Sequence, residues 1–163
     1  MNSADRGARD VDCPGLTCVV MPVYNEGETV GSVIDAVRAL FDGWIVVVDD
    51  GSTDGTRDIV LGRDLVTLVR HESNRGYGAS VADGVAAALD LGAETVVTMD
   101  CDGQHEPRHI AEFCERIAEC DADVVSGSRY LPGSGAVGEV PPDRLDVNRR
   151  VTGMVNAITG WEL

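Results

Sequence analysis

Thr95-Val96-Val97-Thr98-Met99-Asp100-Cys101-Asp102 runs from an apolar, β-branched segment straight into two carboxylates. In an extended chain residues i and i+2 point the same way, so Asp100 and Asp102 are expected to leave the strand tip together. Two hard oxygen donors side by side suit a divalent cation, and such a cation suits a diphosphate. The same design occurs earlier, where Trp44-Ile45-Val46-Val47-Val48 feeds Asp49-Asp50-Gly51-Ser52-Thr53-Asp54-Gly55-Thr56. Two strands that each deliver acids into a loop suggest a site for a nucleotide and a metal.

Outward from these two stretches, β-branched runs alternate with helical periodicities. Strands are expected at residues 16–21, 44–48, 65–69 and 95–99, with a short one at Val124-Val125. Helices are expected at 28–41, after Asp54, at 79–91 and at 107–119. The first carries an apolar stripe of Val30, Val33, Ile34, Val37 and Leu40 or Phe41; the third turns Val81, Val85, Ala88 and Leu89 inward. Pro107 opens the fourth, where its missing N–H costs nothing. Residues 133–142 read as a Gly/Pro-rich loop and 143–158 as a final helix. Strands apolar on both faces and separated by helices imply an α/β fold, a doubly wound and mostly parallel sheet with its site at the carboxyl ends of the strands.

The chain has 163 residues, 44% of them hydrophobic, enough for one globular unit with a core. Its net charge is −15, and all 13 basic residues are arginine. So acidic a surface repels nucleic acid and anionic membrane. An acid excess without lysine fits a concentrated-salt cytoplasm, where ions screen self-repulsion, and also fits a GC-rich genome that encodes arginine. The five cysteines contain no CxxC pair and are odd in number, which points to reduced thiols in a cytoplasmic protein. Residues 1–14 are polar, mix acids with arginines and are expected to be flexible; they do not resemble a signal peptide. No apolar run approaches the roughly 18 residues of a membrane span.

Neither G-x-x-x-x-G-K-[ST] nor G-x-G-x-x-G is present, so a P-loop and a dehydrogenase-type Rossmann site are excluded. Five other motifs occur in order: Pro22-Val23-Tyr24-Asn25-Glu26, Asp49-Asp50-Gly51-Ser52-Thr53-Asp54, Asn74-Arg75-Gly76-Tyr77-Gly78, Asp100-Cys101-Asp102-Gly103-Gln104-His105 and Gly127-Ser128-Arg129-Tyr130. In this series the chain resembles the family 2 glycosyltransferases of GT-A fold, above all the branch that transfers mannose or glucose to polyprenyl (dolichyl) phosphate.

The resemblance implies a nucleotide-sugar-binding core over 15–130, with Pro22, Tyr24 and Glu26 lining the nucleotide pocket, Asp50 contacting base or ribose, and Arg75 also on the nucleotide side. Asp100 and Asp102 would bind Mg2+ or Mn2+ bridging the diphosphate, with Gln104 completing the metal or sugar side. Such a metal neutralises charge that grows on the leaving diphosphate, which makes Asp102 part of the catalytic machinery. Plainer roles stand beside these: Asp49 and Asp54 as turn and cap residues, Arg75 as a surface charge, His105 as a structural hydrogen-bonder, and Cys101 as packing that points away from the metal.

On the acceptor side a sugar hydroxyl needs a general base, whereas a lipid phosphate is already ionised, with its last pKa near ~6, and needs cations instead. Arg129, Arg144, Arg149 and Arg150 follow the site and favour a polyprenyl-phosphate acceptor at the membrane surface, with Arg129 as the bidentate, catalytic fork. The latter three also fit as solvation of the last helix. Relatives commonly carry an Arg a turn before a Ser in this helix; here Asn148 and Thr152 stand in those places. The resemblance also implies an Asp and a Gly-Phe-Arg segment beyond Leu163. Residues 131–163 are therefore expected to open an acceptor-binding region that reads as truncated, in a protein that is cytoplasmic or peripheral at the cytoplasmic membrane face. The donor would be GDP-mannose or UDP-glucose. A saccharide-hydroxyl transferase and an inactive nucleotide-sugar-binding fragment are the alternatives.

Overall fold

The computed structural model describes residues 16–103, 105–120, 122–127 and 142–160. Gln104, Arg129 and nearly all of the 133–142 loop lie outside the described residues. In chain order the elements are β1 (Thr17–Val23), α1 (Val30–Leu40), β2 (Trp44–Asp49), α2 (Thr56–Leu61), β3 (Val66–Arg70), α3 (Tyr77–Asp90), β4 (Thr95–Thr98) and α4 (His109–Glu119). A second compact unit begins at Ser126 and contains α5 (Pro142–Thr159).

The four strands lie in the order β3-β2-β1-β4, and every pair is parallel. β1 is central and all seven of its residues are buried. Val19, Met21, Val23, Ile45, Val47 and Val97 pack with α1, α2 and α4, while Cys18, Val20, Val46 and Val48 pack with Ala88 of α3. Both faces of the inner strands are thus covered, which is why they read as continuous apolar runs instead of alternating ones. From β1 the chain steps to β2 and β3, then returns past both to place β4 on the other side of β1. That reversal puts a topological switch point beside the carboxyl end of β1, where open α/β sheets bind ligands.

Of the four α3 residues expected to face inward, Ala88 is fully buried and the other three are not. The buried residues of the helix are Ser80, Gly84 and Ala88, whereas Val81 and Val85 are only half-buried and Leu89 is 60% exposed. A Cβ at Gly84 would lie 2.4 Å from Cγ1 of Val20 and 3.0 Å from Cγ2 of Val48. The helix approaches the seam of β1 and β2 so closely that only small side chains fit, and the larger apolar ones flank the contact. α3 also starts two residues earlier than expected, because Gly76, at φ +91°, turns the chain directly into the helix and its carbonyl accepts from the N–H groups of Ala79 and Ser80. The expected strand at Val124-Val125 is absent: these residues are irregular and Val124 is 79% exposed. Among the described residues no strand pairs with this two-residue run, so no ladder holds it.

Candidate functional site

The loops that leave β1 and β2 are laced to each other by short polar side chains. Ser52 Oγ accepts from the Asn25 N–H at 2.9 Å, and Asn25 Oδ1 accepts from the Thr53 N–H at 2.9 Å. Thr56 Oγ1 accepts from the Glu26 N–H, and Asp54 Oδ2 from the Gly27 N–H at 3.0 Å. Asp54 Oδ1 also takes the Thr56 N–H at 2.9 Å and its hydroxyl, bonds that hold the Asp54 carboxyl below the usual carboxylate range. Asp54 is therefore a turn residue just ahead of Gly55, the N-cap of α2, and also a strut between loops. Along this cradle Pro22 is buried in β1, Tyr24 is exposed, and Glu26 is half-buried with its carboxylate accepting from the Thr29 hydroxyl.

Asp49 and Asp50 close β2 and are buried, but they differ in what they leave unpaired. Asp49 Oδ1 accepts from the Ser52 N–H at 2.8 Å, a turn-forming bond; Oδ2 is buried with no hydrogen-bond partner and lies 3.9 Å from Arg70 Nε. Both oxygens of Asp50, expected to face base or ribose, are taken by the protein. Oδ1 accepts from the Arg75 N–H at 2.8 Å and meets His71 Nδ1 at 2.6 Å; Oδ2 accepts from the Gly76 N–H at 2.8 Å. Burial alone would raise this carboxyl, but His71 and the two amides overcome it and hold it below its ordinary range. His71 continues to Asp83 Oδ2 through Nε2 at 2.9 Å, and the Arg75 guanidinium pairs with the same oxygen. Sequence reasoning missed His71 and Asp83. Its available signal was a histidine placed directly after a strand, with an aspartate on the facing helix.

At the other strand end, β4 stops at Thr98, so Asp100-Cys101-Asp102 forms a bend and not the extended tip expected. The three side chains still separate: Asp102 is exposed, Asp100 half-buried, and Cys101 buried with its thiol 3.7 Å from Met21 Sδ. Burial, followed by the charges of Glu26, Asp100 and Asp102, pushes the Cys101 thiol up to about 12, so it packs as a neutral group. The Asp100 N–H donates to His105 Nδ1 at 2.9 Å, the structural role expected of His105. Asp100 Oδ1 is buried and has no partner. Burial and then the Asp100 carboxylate beside it push the Tyr77 phenol above its ordinary range, although much of that ring is exposed.

An orphaned carboxylate oxygen with a second carboxylate two residues on is a hard donor set that fits Mg2+ or Mn2+. Among the described residues no group of three His, Cys, Asp or Glu side chains is placed to hold a metal. A cation bound here would take Asp100 and Asp102 as its carboxylate donors. In the second unit Arg149 and Arg150 are exposed on α5, and Arg150 pairs with Asp146 at 2.8 Å. Among the described residues no helix is long and apolar enough to cross a membrane.

Comparison with known proteins agrees with this arrangement. The chain is 34% identical over 139 residues to polyprenol monophosphomannose synthase of Mycolicibacterium smegmatis, an alignment covering 82% of this chain and 52% of that protein. It is 32% identical over 130 residues to UDP-N-acetylglucosamine–dolichyl-phosphate N-acetylglucosaminyltransferase of Methanococcus voltae, covering 70% and 52%. The chain thus spans about half the length of these curated relatives. Among solved structures, glucosyl-3-phosphoglycerate synthase of Mycobacterium tuberculosis in complex with Mn2+, UDP and glucosyl-3-phosphoglycerate superposes with a TM-score of 0.52 at 26% identity, over 68% of this chain and 41% of that one. The same enzyme has also been solved with Mg2+ and UDP. The fold is of the α/β, GT-A type. Residues 18–159 match the model of glycosyl transferase family 2, and the chain belongs to that family.

Proposed function

We propose that this chain forms the nucleotide-sugar-binding part of an inverting glycosyltransferase that uses Mg2+ or Mn2+ and passes a hexose to a polyprenyl phosphate. The observation that carries the reading is the pair of buried carboxylate oxygens without hydrogen-bond partners, Asp49 Oδ2 and Asp100 Oδ1, at strand ends on either side of β1. A buried acceptor left unpaired is costly, and ligand groups that satisfy it gain that cost back on binding. Asp49 is suited to accept from an N–H or O–H of the nucleoside. Asp50 acts one step away, by shaping the loop that carries Arg75.

Asp100 and Asp102 would hold the cation, whose charge offsets what builds on the diphosphate as it leaves. Gln104 is proposed to complete that side, and Pro22, Tyr24 and Glu26 to border the nucleotide. In the transfer, an oxygen of the acceptor phosphate bonds to the anomeric carbon from the face opposite the diphosphate, and the bond from that carbon to the diphosphate breaks with inversion. The acceptor is already ionised, so no side chain must remove a proton. Arg129, assisted by Arg149 or Arg150, is proposed to hold that phosphate at the membrane surface. Two curated relatives act, by their names, on polyprenol or dolichyl phosphate, which supports this acceptor class.

The test is binding of UDP, GDP and their hexose conjugates with and without Mn2+, followed by transfer of radiolabelled hexose to a short polyprenyl phosphate. Metal-dependent binding and lipid-phosphate product are expected, from this chain or from a C-terminally extended form. Transfer to a free hydroxyl instead would favour the second reading, which the solved relative bound to glucosyl-3-phosphoglycerate supports. Absence of metal-dependent binding would overturn both.

A further inference from the structure

We propose that His71 is held as an imidazolium between Asp50 and Asp83 and thereby positions the 72–76 loop and the start of α3 for the donor nucleotide. The positioning role rests on the donor-site reading above; the protonation state rests on geometry alone. His71 is 5% exposed, and each ring nitrogen faces a carboxylate oxygen, Nδ1 at 2.6 Å and Nε2 at 2.9 Å. An ionised carboxylate only accepts, so both bonds exist together only if both nitrogens carry hydrogen. A neutral ring would point one lone pair at a carboxylate.

The charges around the ring balance with the second proton in place. Asp50 from the end of β2 and Asp83 from α3 are answered by the Arg75 guanidinium and the imidazolium. Arg70 and Glu72 flank His71 in sequence, and the His71 N–H donates to the Asp49 carbonyl at 2.9 Å. Placing the extra proton on an acid instead is disfavoured at both positions. Asp83 also receives Arg75, and Asp50 already accepts from the Arg75 and Gly76 N–H groups. The ring thus ties β2, the end of β3 and α3 at one point.

What this point controls lies downstream of it. Asp50 fixes the N–H groups of Arg75 and Gly76, and Gly76 turns the chain into α3. The first residue of that helix, Tyr77, stands beside Asp100 on the metal side. His71 therefore spans the two halves of the site without touching either ligand group, which makes it a positioning residue.

Two measurements decide the matter. Nitrogen-15 spectra of the His71 ring in the ligand-free protein at neutral pH should show both nitrogens protonated; a neutral single tautomer would overturn the proposal. Affinity for UDP and for GDP, each with Mn2+, should then fall about tenfold as pH rises and the second proton is lost, the scale of one charged hydrogen bond. In Asp83→Asn the side-chain amide can donate to a neutral ring, so that dependence should flatten to less than about twofold. The substitution leaves the phosphate and metal chemistry of the probe unchanged, so an equal slope in both proteins would overturn the positioning role. If neither diphosphate binds at any pH, the donor-site reading and the positioning role fall together, while the ring signal still reports the protonation state on its own.

Discussion

The two acidic clusters at the carboxyl end of the sheet have similar composition and opposite construction. Around β2, Asp54 and Asp50 spend both oxygens on protein donors, and only Asp49 Oδ2 is left over. After β4, Asp100 Oδ1 has no donor and Asp102 is exposed. In the first cluster Asp50 and Asp54 are framework, their oxygens already taken by amides, a hydroxyl and a histidine. The second leaves the buried Asp100 Oδ1 without a donor, the oxygen proposed above for a cation. Acids close in sequence thus carry no fixed meaning until their donors are counted.

The sharpest way to break this contrast is to remove Asp50. Asp50→Ala leaves His71 Nδ1 buried without its acceptor, although Nε2 keeps Asp83, and two loop amides without acceptors. It should cost about 3–5 kcal/mol, the usual penalty for stripping one partner from a buried charge pair, measured as a fall in denaturation midpoint at constant m-value. Asp102→Asn should do the reverse. It removes metal-dependent binding of the nucleoside diphosphate while shifting stability by no more than about 0.5 kcal/mol, as exposed substitutions do. Calorimetry that finds the Mn2+-dependent affinity intact would end the distinction between the clusters.

Asp49→Asn separates the two functions within one side chain. The bond from Ser52 survives on one oxygen, while the unpaired acceptor becomes a donor, so free nucleoside affinity should drop by about 1–3 kcal/mol. Acid gives a smaller, graded effect. The Asp50 carboxyl is lower in the folded than in the unfolded protein, so its stabilisation is complete above the unfolded carboxyl value near ~4 and is lost as pH falls below it. Asp50→Asn should therefore be less acid-sensitive than wild type in a pH series of thermal melts. Smallest of all, Cys101 should resist alkylation at mildly alkaline pH while exposed Cys120 reacts, because the Cys101 thiol is raised to about 12.

The parallel sheet was legible because its inner strands are apolar on both faces, a pattern that few other elements share. The motif loops were legible as motifs, but their bonding was not. Asp50 and His71 lie 21 residues apart and His71 and Asp83 12 apart, and no periodicity links such positions. α3 was legible as a helix and, Ala88 apart, misread in rotation. Apolar size marks the buried face when a helix packs at ordinary distance, and Val81, Val85 and Leu89 mark the wrong one here because the backbone comes too close for them. The bend at Asp100-Cys101-Asp102 escaped because β4 ends a residue early, and strand boundaries carry little sequence signal.

Close packing at Gly84 gives α3 the mechanics of a lever with a fixed fulcrum. Tyr77 stands seven residues, about 10 Å, from that pivot along the helix axis. A side chain wedged between Gly84 and the valines beneath it, tilting the axis by about 5°, would swing the far end by about 1 Å, a misplacement that can cost an active site about a hundredfold in rate. Gly84 thus gauges the gap under α3, and through the length of the helix it sets the alignment of Gly76, Tyr77 and the Asp100 side of the site from two turns away.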